Sequence, residues 1–453
     1  MLKMKIIVNY STQGDEKTMM RKILRLSIII CFSFSMRAVE LNITQPGLYE
    51  LGDNLTSLPG GADDTIVINA SDVVFDMNSY FIAQGNVTVG VNGIIVNSGL
   101  SNVTIKNGMI RSFTGTGIVV NQSCARISFD SITIEGCGSA ISFAGSVGNI
   151  IADIFINNCT IYQCNAAGGA VVDMTQCTRA TVNNFIISDI ASTGLIVPLS
   201  LSNVTVSDFK NILIQANSSA SAIFAINELS GIDNTFDNVI IRNNTGGAGF
   251  SGIRVTGSTG DIFNNCLITL NFTNADFIGF NISANQSSVY ERCRITANTG
   301  INNNTGFNFI NVSNLLSVID CIVNANVTNG AMNGYLINNA NFSSFLRNMA
   351  INNSSTGGIA IGINLEGSGG SGDAFVDSYV ARNNGLSSGF SFGVNVSAAA
   401  TTLFTRTTSF NNGFGFANQI VGIAAGSVVN LVSPGSNNMN STSLSWTNLG
   451  VNA

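Results

Sequence analysis

Apolar and polar residues recur along this chain with a period of about 27 residues. One repeat reads Phe236-Asp-Asn-Val-Ile-Ile-Arg-Asn-Asn244, and the next reads Phe263-Asn-Asn-Cys-Leu-Ile-Thr-Leu-Asn271. Within each repeat apolar and polar positions alternate, which is typical of a β-strand with one buried face. A period of this length indicates a stacked array in which every repeat forms one coil.

When the repeats are aligned on the first strand residue of each coil, three positions are apolar in nearly every repeat. We call the residues at one such position a column. The reference column comprises Met109, Ile132, Cys159, Phe185, Ile212, Val239, Cys266, Cys293, Cys321, Met349, Tyr379 and Thr407. Further columns lie three residues earlier, from Phe129 to Phe404, and two residues later, from Ile134 to Ile351. Each coil also has a second apolar pair, such as Phe307/Phe309 and Phe390/Phe392. We expect all of these side chains to point into a common core.

Asparagine forms two polar columns beside the apolar ones. Immediately before the reference position stand Asn158, Asn184, Asn211, Asn238, Asn265, Arg292, Asp320 and Asn348. Five residues after it stand Asn217, Asn244, Asn271, Asn298, Asn326, Asn384 and Asn412. Carboxamides stacked at a coil spacing of about 4.8 Å can hydrogen-bond from coil to coil. The pattern therefore predicts asparagine ladders.

These columns predict an all-β protein, a right-handed parallel β-helix (solenoid) of about 12 coils with N- and C-terminal caps. The 47 Gly and only 4 Pro suit many tight turns. A β-propeller is disfavoured because its blades repeat at about 40–45 residues. Leucine-rich repeats are disfavoured because the sequence lacks helical returns.

Four segments are predicted. Residues 1–38 are a leader with a secretory signal peptide, because Arg21-Lys22 precede a short apolar run that ends near small residues. An uncleaved anchor is the alternative. Residues 39–90 are an N-terminal cap with leading strands, 91–413 are the β-helix coils, and 414–453 are a C-terminal cap containing Trp446. No transmembrane segment is expected in the mature chain, since the apolar run is too short to span a bilayer.

The leading strands resemble the start of the right-handed parallel β-helix proteins of the pectin-lyase-like superfamily. The resemblance lies in Gly47-Leu-Tyr-Glu-Leu51, Asp72-Val-Val-Phe-Asp-Met-Asn78 and Leu100-Ser-Asn-Val-Thr-Ile-Lys-Asn-Gly108, and it extends over roughly residues 45–420. It implies the fold but no activity, because this fold hosts lyases, hydrolases, adhesins and structural proteins. The Asn-Thr-Asp triplet and His of the polygalacturonase branch, and the Arg-x-Pro motif of the pectate-lyase branch, are absent.

Charge and composition exclude several kinds of chemistry. The formal net charge is −6, and the leader holds seven of the 19 Lys and Arg but only two of the 25 Asp and Glu. The mature chain would thus be more acidic and has no basic patch, which disfavours nucleic-acid binding. The chain contains no histidine, so imidazole catalysis and His-ligated metals are excluded.

No catalytic, cofactor-binding or metal-binding residue is assigned from the sequence, and no cofactor is expected. Lys210–Asp237 and Arg347–Asp377 are predicted to be surface ion pairs on adjacent coils. Asp63-Asp64 is interpreted as a turn, and the Gly/Ser-rich stretch from Glu366 to Asp373 as a flexible loop.

Nine cysteines are present, and Cys31 belongs to the leader. The other cysteines are expected to be buried free thiols that act as small hydrophobic groups. A bridge between the stacked Cys137 and Cys164 is the open exception in an oxidising compartment. The disulfide state of Cys266, Cys293 and Cys321, which lie on successive coils, is also left open.

The sequence favours a secreted or cell-surface β-helix scaffold for adhesion or interaction, with glycan binding as one form of it. The expected partner is a polysaccharide or a surface receptor. The alternative is a polysaccharide-active enzyme, a lyase or glycoside hydrolase, that works with carboxylates only. A purely structural envelope component is a third possibility.

Overall fold

The computed structural model describes residues 4–7, 41–56, 65–85, 90–165, 169–312, 315–340, 343–366, 371–385, 391–396, 401–410, 420–421 and 428–431. The chain forms two compact units. Unit 1 comprises residues 1–166 and 171–187, and unit 2 comprises residues 167–170 and 188–453. Within the described ranges no helix has the length and apolar character needed to cross a membrane.

Unit 1 contains two sheets. Strands of its first sheet are Met4–Ile7, Gly47–Leu51, Leu55–Thr56, Val73–Asp76, Phe81–Ala83, Ser101–Arg111, Ala125–Glu135, Ile151–Tyr162 and Cys177–Ser188. Strands of its second sheet are Leu41–Ile43, Ile66–Ile68, Ile94–Val96, Thr116–Asn121, Ser139–Ala144 and Ala170–Thr175. Neighbouring strands pair in parallel, except that Met4–Ile7 lies antiparallel to Gly47–Leu51.

Unit 2 contains three sheets. The first has Asp208–Gln215, Thr235–Arg242, Ile262–Asn264, Leu267–Thr269, Val289–Glu291, Arg294–Thr296, Ser317–Ile319, Ile322–Asn324, Ser344–Leu346, Met349–Ile351, Ser371–Val376, Tyr379–Ala381, Thr401–Phe410 and Val428–Leu431. The second has Val197–Ser202, Ala222–Leu229, Gly249–Thr256, Phe277–Ser283, Asn304–Ile310, Met332–Asn338, Ala360–Glu366, Ser391–Val396 and Ile420–Val421.

The third sheet of unit 2 consists of two-residue strands. They are Ala191–Ser192, Ser218–Ser219, Thr245–Gly246, Phe272–Thr273, Thr299–Gly300, Val327–Thr328, Ser354–Ser355 and Asn384–Gly385. All pairings within unit 2 are parallel, and each strand meets the equivalent strand of the next coil. The two units together comprise about 12 coils with a period of about 27 residues, which confirms the predicted parallel β-helix.

The predicted apolar columns form the cores. In unit 2, the rings of Phe209, Phe236 and Phe263 stack with centroids 4.9 and 4.7 Å apart, and Tyr290 continues the stack at 5.0 Å. In unit 1, the same column contains Phe129 among aliphatic residues, and its members are fully buried. Such aligned stacking buries large apolar surfaces at low conformational cost.

The predicted register is wrong by one residue in the later coils. Ile322 pairs with Met349, so Asn348 rather than Met349 continues the column of Cys321. The slip arises because Arg347, with φ of 55°, takes the left-handed corner position that Asn265 takes earlier, with φ of 52°. Asn348 instead points inward, where its Oδ1 accepts a hydrogen bond from the Cys321 amide at 2.9 Å.

The same slip affects the neighbouring columns. The residues that occupy these columns are Phe345 instead of the predicted Leu346, Ala350 instead of Ile351, Ser378 instead of Tyr379 and Asn383 instead of Asn384. Near the start, Gly108 rather than Met109 pairs with Ile132. In the second sheet, Ile363 pairs with Val394, so Phe392 lies outside the column to which it was assigned. Phe390, Asn412 and Asp63-Asp64 lie outside the described residues.

The two asparagine columns differ in structure. The column before the reference position is exposed and left-handed, and its asparagines occupy it because they tolerate positive φ. The column five residues later is buried in unit 2 and forms a continuous ladder. Each Nδ2 donates to the Oδ1 of the next asparagine at 2.9–3.0 Å, through Asn217, Asn244, Asn271, Asn298, Asn326, Asn353 and Asn383.

The eight cysteines in the described residues are buried free thiols, as expected. Cys137 and Cys164 are neighbours on adjacent coils of unit 1, and neither forms a disulfide. Cys266, Cys293 and Cys321 are also free and nearly inaccessible.

Candidate functional site

An open groove lies at the carboxyl ends of the first-sheet strands of unit 1. Its volume is about 430 Å³. The lining residues are Thr56, Ala83, Gln84, Arg111, Ser112, Glu135, Gly136 and Gln163. The groove therefore combines one cation, one carboxylate and two carboxamides on neighbouring coils.

The repeat itself places the charged side chains together. Arg111, Glu135 and Tyr162 are the last residues of three consecutive first-sheet strands. Arg111 pairs in register with Glu135, and Glu135 with Tyr162. Because side chains alternate across a strand, all three lie on the outer face, one coil apart.

Arg111 is held by an aromatic ring rather than by an ion pair. Its guanidinium carbon lies 3.8 Å from the centroid of the Phe81 ring. The ion pairs found among the described residues do not include Arg111. A guanidinium stacked on a ring keeps its N–H donors in a fixed plane, from which they can reach the oxygens of a ligand.

Glu135 and Tyr162 form the other side of this column. Burial raises the pKa of Tyr162, and a hydrogen bond from its phenol to the Glu135 carboxylate raises it further. The positive charge of Arg111 acts in the opposite direction on the same pKa. The phenol therefore stays protonated near neutral pH and remains a hydrogen-bond donor.

The floor of the groove is fixed by corner residues. The Oε1 atom of Gln84 accepts a hydrogen bond from the Thr114 amide at 2.6 Å. Ser112, Gly136 and Gln163 have φ of 62°, 62° and 55°, so each turns the chain sharply after a strand. Several residues that line the groove therefore lie at sharp turns of the coils.

The charged pairs predicted from sequence lie elsewhere and form no site. Lys210 and Asp237 pair in register on adjacent coils, but the Lys210 Nζ is 3.5 Å from Asp208. Arg347 bonds Asp320, with its Nε 2.6 Å from Oδ1, although Asp377 also acts on it electrostatically. These exposed pairs contribute little to stability.

Sequence reasoning missed both the groove and a pair of buried acids. The signal for the groove was an Arg-Glu-Tyr column at the strand ends, spaced by one coil. Glu228 and Asp261 in unit 2 are both 0% exposed, although charged side chains are rarely buried without partners. Within the described residues, no group of three or more His, Cys, Asp or Glu is arranged to hold a metal ion.

The stacked parallel coils, inward columns and Asn ladder define a parallel β-helix protein. Among solved structures, the chain is similar to the A-module of the mannuronan C-5 epimerase AlgE6 from Azotobacter vinelandii, with a TM-score of 0.40, 13% identity, and coverage of 88% of this chain and 91% of that one. It is also similar to the periplasmic alginate epimerase AlgG, with a TM-score of 0.41, 9% identity, and coverage of 81% and 82%.

A third similar structure is PfbA, a surface adhesin of Streptococcus pneumoniae, with a TM-score of 0.27, 12% identity, and coverage of 83% of both chains. Similarities at this level concern the architecture alone, and they assign no residue of the groove. No family model matches the chain, and no curated protein sequence matches it.

Proposed function

We propose that this protein is an exported β-helix scaffold that binds glycan chains in the groove of unit 1. The observation that carries the proposal is the Arg111-Glu135-Tyr162 column beside Gln84 and Gln163. Glycans are recognised by planar polar side chains that make several hydrogen bonds, together with aromatic rings. An open groove on stacked coils also suits an extended polymer better than a small enclosed ligand.

The proposal is tested by binding of the full chain to an array of neutral and anionic glycans. Arg111→Gln removes the cation of the groove, so we expect affinity to fall about tenfold, the equivalent of roughly 1.4 kcal/mol. Arg126→Gln is the matched control, because Arg126 is an exposed arginine of unit 1 that bonds Asn102 outside the groove. An array without any bound glycan, or equal affinity for the two variants, would contradict the proposal.

Glycan cleavage is less well supported than binding. Carboxylate-only hydrolysis requires two carboxyl groups about 5–10 Å apart beside the substrate. Glu135 is the one carboxylate among the described residues that line the groove, and Glu228 and Asp261 are buried away from any glycan. Product formed from polyuronides or neutral polysaccharides, with or without calcium, would favour the enzymatic alternative.

Export itself is part of the proposal. Residues 1–38 would be a leader removed on secretion, and the strand Met4–Ile7 would be removed with it. The paired edge of Gly47–Leu51 would then become free. N-terminal sequencing of the secreted protein tests this, and an intact N-terminus on the exported chain would contradict it.

A further inference from the structure

Unit 2 contains a buried polar cluster where the chain passes from its second sheet to its first. We call Glu228, Gly231, Asn234, Ser258 and Asp261 the corner cluster. Its Glu, Asp, Asn and Ser side chains are all 0% exposed. The cluster lies apart from the groove and has no part in the proposed glycan binding.

Glu228 occupies a core position. It pairs in register with Leu201 and Val255, so its carboxyl points inward from the second sheet. The Nδ2 atom of Asn234 donates to Glu228 Oε1 at 2.8 Å, whereas Oε2 has no hydrogen-bond partner. A Cβ added to Gly231 would lie 2.2 Å from Oε1, so only glycine leaves room for this carboxyl group.

Asp261 lies one coil further, in line with Asn234. Its Oδ1 accepts a hydrogen bond from the Asn234 backbone amide at 3.0 Å, and Ser258 also hydrogen-bonds the carboxyl. The second oxygen, Oδ2, has no partner. The Ser258 hydroxyl oxygen in turn accepts from the Gly231 amide at 2.9 Å, so both acids are connected to the same short stretch of backbone.

Among the residues that the structure describes, no cation balances these two acids. The titratable groups that act on each acid are the other acid, Asp233 at the exposed side of the corner, and Tyr290 on the first sheet. Asp233 also lies over the next coil, since a Cβ on Gly260 would be 2.2 Å from its Oδ1.

The arginines on the adjacent strands face outward. Arg254 lies over the Phe224 ring, and Arg242 bonds Gln215. In the described part of the chain, the polar groups that these acids face are therefore further acids, a phenol and neutral polar groups.

We propose that the corner cluster is a proton-controlled switch that keeps this corner of unit 2 closed while its acids are neutral and opens it locally when Asp261 loses its proton. A buried negative charge without a cation to compensate it costs more than the closed corner gains from its hydrogen bonds. Opening exposes the carboxylate to water and releases the backbone of residues 228–234.

The direction of the switch follows from the acids. Burial raises the pKa of Asp261 to about 7 and that of Glu228 well above its usual value. A carboxyl whose folded-state pKa is raised favours the folded state at low pH, and this preference is lost as the pH rises from the unfolded to the folded value. The window therefore runs from the ordinary Asp value up to about neutral pH.

Hydrogen exchange of the full chain measures the switch directly. The reporters are the amides of Gly231 and Asn234, which donate to Ser258 and Asp261, compared at about pH 5.5 and pH 8.5 after correction for intrinsic rates. We expect their protection to fall at least tenfold at the higher pH, with an upper limit of about thirtyfold, because pH 5.5 lies about 1.5 units below the pKa of Asp261. The amides of the Asn ladder, such as Asn298, are the internal reference and should not change.

Asp261→Asn keeps the shape of the side chain without the charge, so its corner should stay protected at both pH values. Glu228→Gln retains the acceptor for Asn234 and is the second variant in case the first does not fold; its pH-dependent opening should be weaker than in the wild type. Asp237→Asn, on the exposed face of the first sheet, is the control and should behave as the wild type. Wild-type protection that is independent of pH, or both cluster variants opening as the wild type does, would overturn the proposal.

Discussion

Units 1 and 2 are built from coils of similar length but differ in how they form their corners. In unit 1, first-sheet strands such as Ser101–Arg111 and Ile151–Tyr162 run through 11 and 12 residues. In unit 2, the corresponding strands divide, as in Ile262–Asn264 and Leu267–Thr269, and a third sheet of two-residue strands is added. The extra corners of unit 2 require buried hydrogen-bond partners for its backbone.

The two units meet this requirement with different residues. The position that Cys137 and Cys164 occupy in unit 1 is occupied in unit 2 by the Asn ladder. At the corner after the second sheet, the left-handed position is outward in both units, as in the Arg179–Asp153 pair at 2.7 Å and in Asp233. The next position is apolar in unit 1, with Ile154 and Ala180, but holds the buried Asn234 and Asp261 in unit 2. Unit 2 therefore satisfies backbone groups at its corners with buried polar side chains, whereas unit 1 has thiols and aliphatic residues at the same positions.

The largest effect is expected for Asn271→Ala, in the middle of the Asn ladder. The Asn271 carboxamide accepts from the amide and Nδ2 of Asn244 and donates to Asn298 and to the Ile241 carbonyl. Its removal leaves several buried groups without partners, so we expect a loss of about 4 kcal/mol in the free energy of unfolding. Urea unfolding followed by circular dichroism measures it.

Cys164→Ala is the matched control for that variant, at the equivalent position of unit 1. It removes a small buried group and no ladder bond, so its cost should be about 1 kcal/mol. Equal losses for the two variants would show that the ladder contributes no more than ordinary packing.

The second test is Gly231→Ala, which inserts a methyl group against the Glu228 carboxyl. Overpacking of this kind should cost about 2 kcal/mol. Gly90→Ala in unit 1 is its control and should be nearly neutral, because nothing lies within 4 Å of the added carbon. Thermal unfolding of both variants measures these costs. A Gly231→Ala variant as stable as the wild type would mean that the corner cluster is not tightly packed.

The smallest effect concerns the exposed ion pair of unit 1. The hydrogen bond from Arg179 lowers the pKa of Asp153, so the pair contributes stability above the ordinary Asp value and loses it as the pH falls through the lowered one. Arg179→Gln should remove this loss of stability at acid pH. It should otherwise change the free energy of unfolding little, since salt screens exposed charges. Thermal unfolding between about pH 2 and pH 6 measures it. If Arg179→Gln lowered the stability more than Gly231→Ala does, the exposed pair of unit 1 would matter more for stability than the buried corner of unit 2.

The fold could be predicted from sequence because the core columns recur at a nearly constant period. Phe209, Phe236 and Phe263 lie 27 residues apart, and the structure stacks their rings. The register failed at Asn348 because an asparagine there resembles the corner asparagines, while Arg347 takes the left-handed conformation. Residue type alone does not distinguish an Asn that turns the chain from an Asn that caps a buried amide.

The groove and the corner cluster were harder to predict for a physical reason. Arg111 and Glu135 are ordinary outward strand residues, and their importance comes from the coil ends that surround them. Glu228 stands in a column otherwise occupied by Leu201, Val255 and Ile282, where a charged residue would be expected to disrupt the strand. Only the space left by Gly231 and the bond from Asn234 make its burial possible.

The Asn ladder also determines how this protein can change in length. Successive members such as Asn217, Asn244 and Asn271 are spaced by 27 residues and make the same bonds to the next coil. Removal of residues 218–244 would therefore place Asn217 against Asn271 in the geometry it now has with Asn244. A unit built in this way can gain or lose material only in whole coils, so insertions and deletions of other sizes must be confined to the loops between its strands.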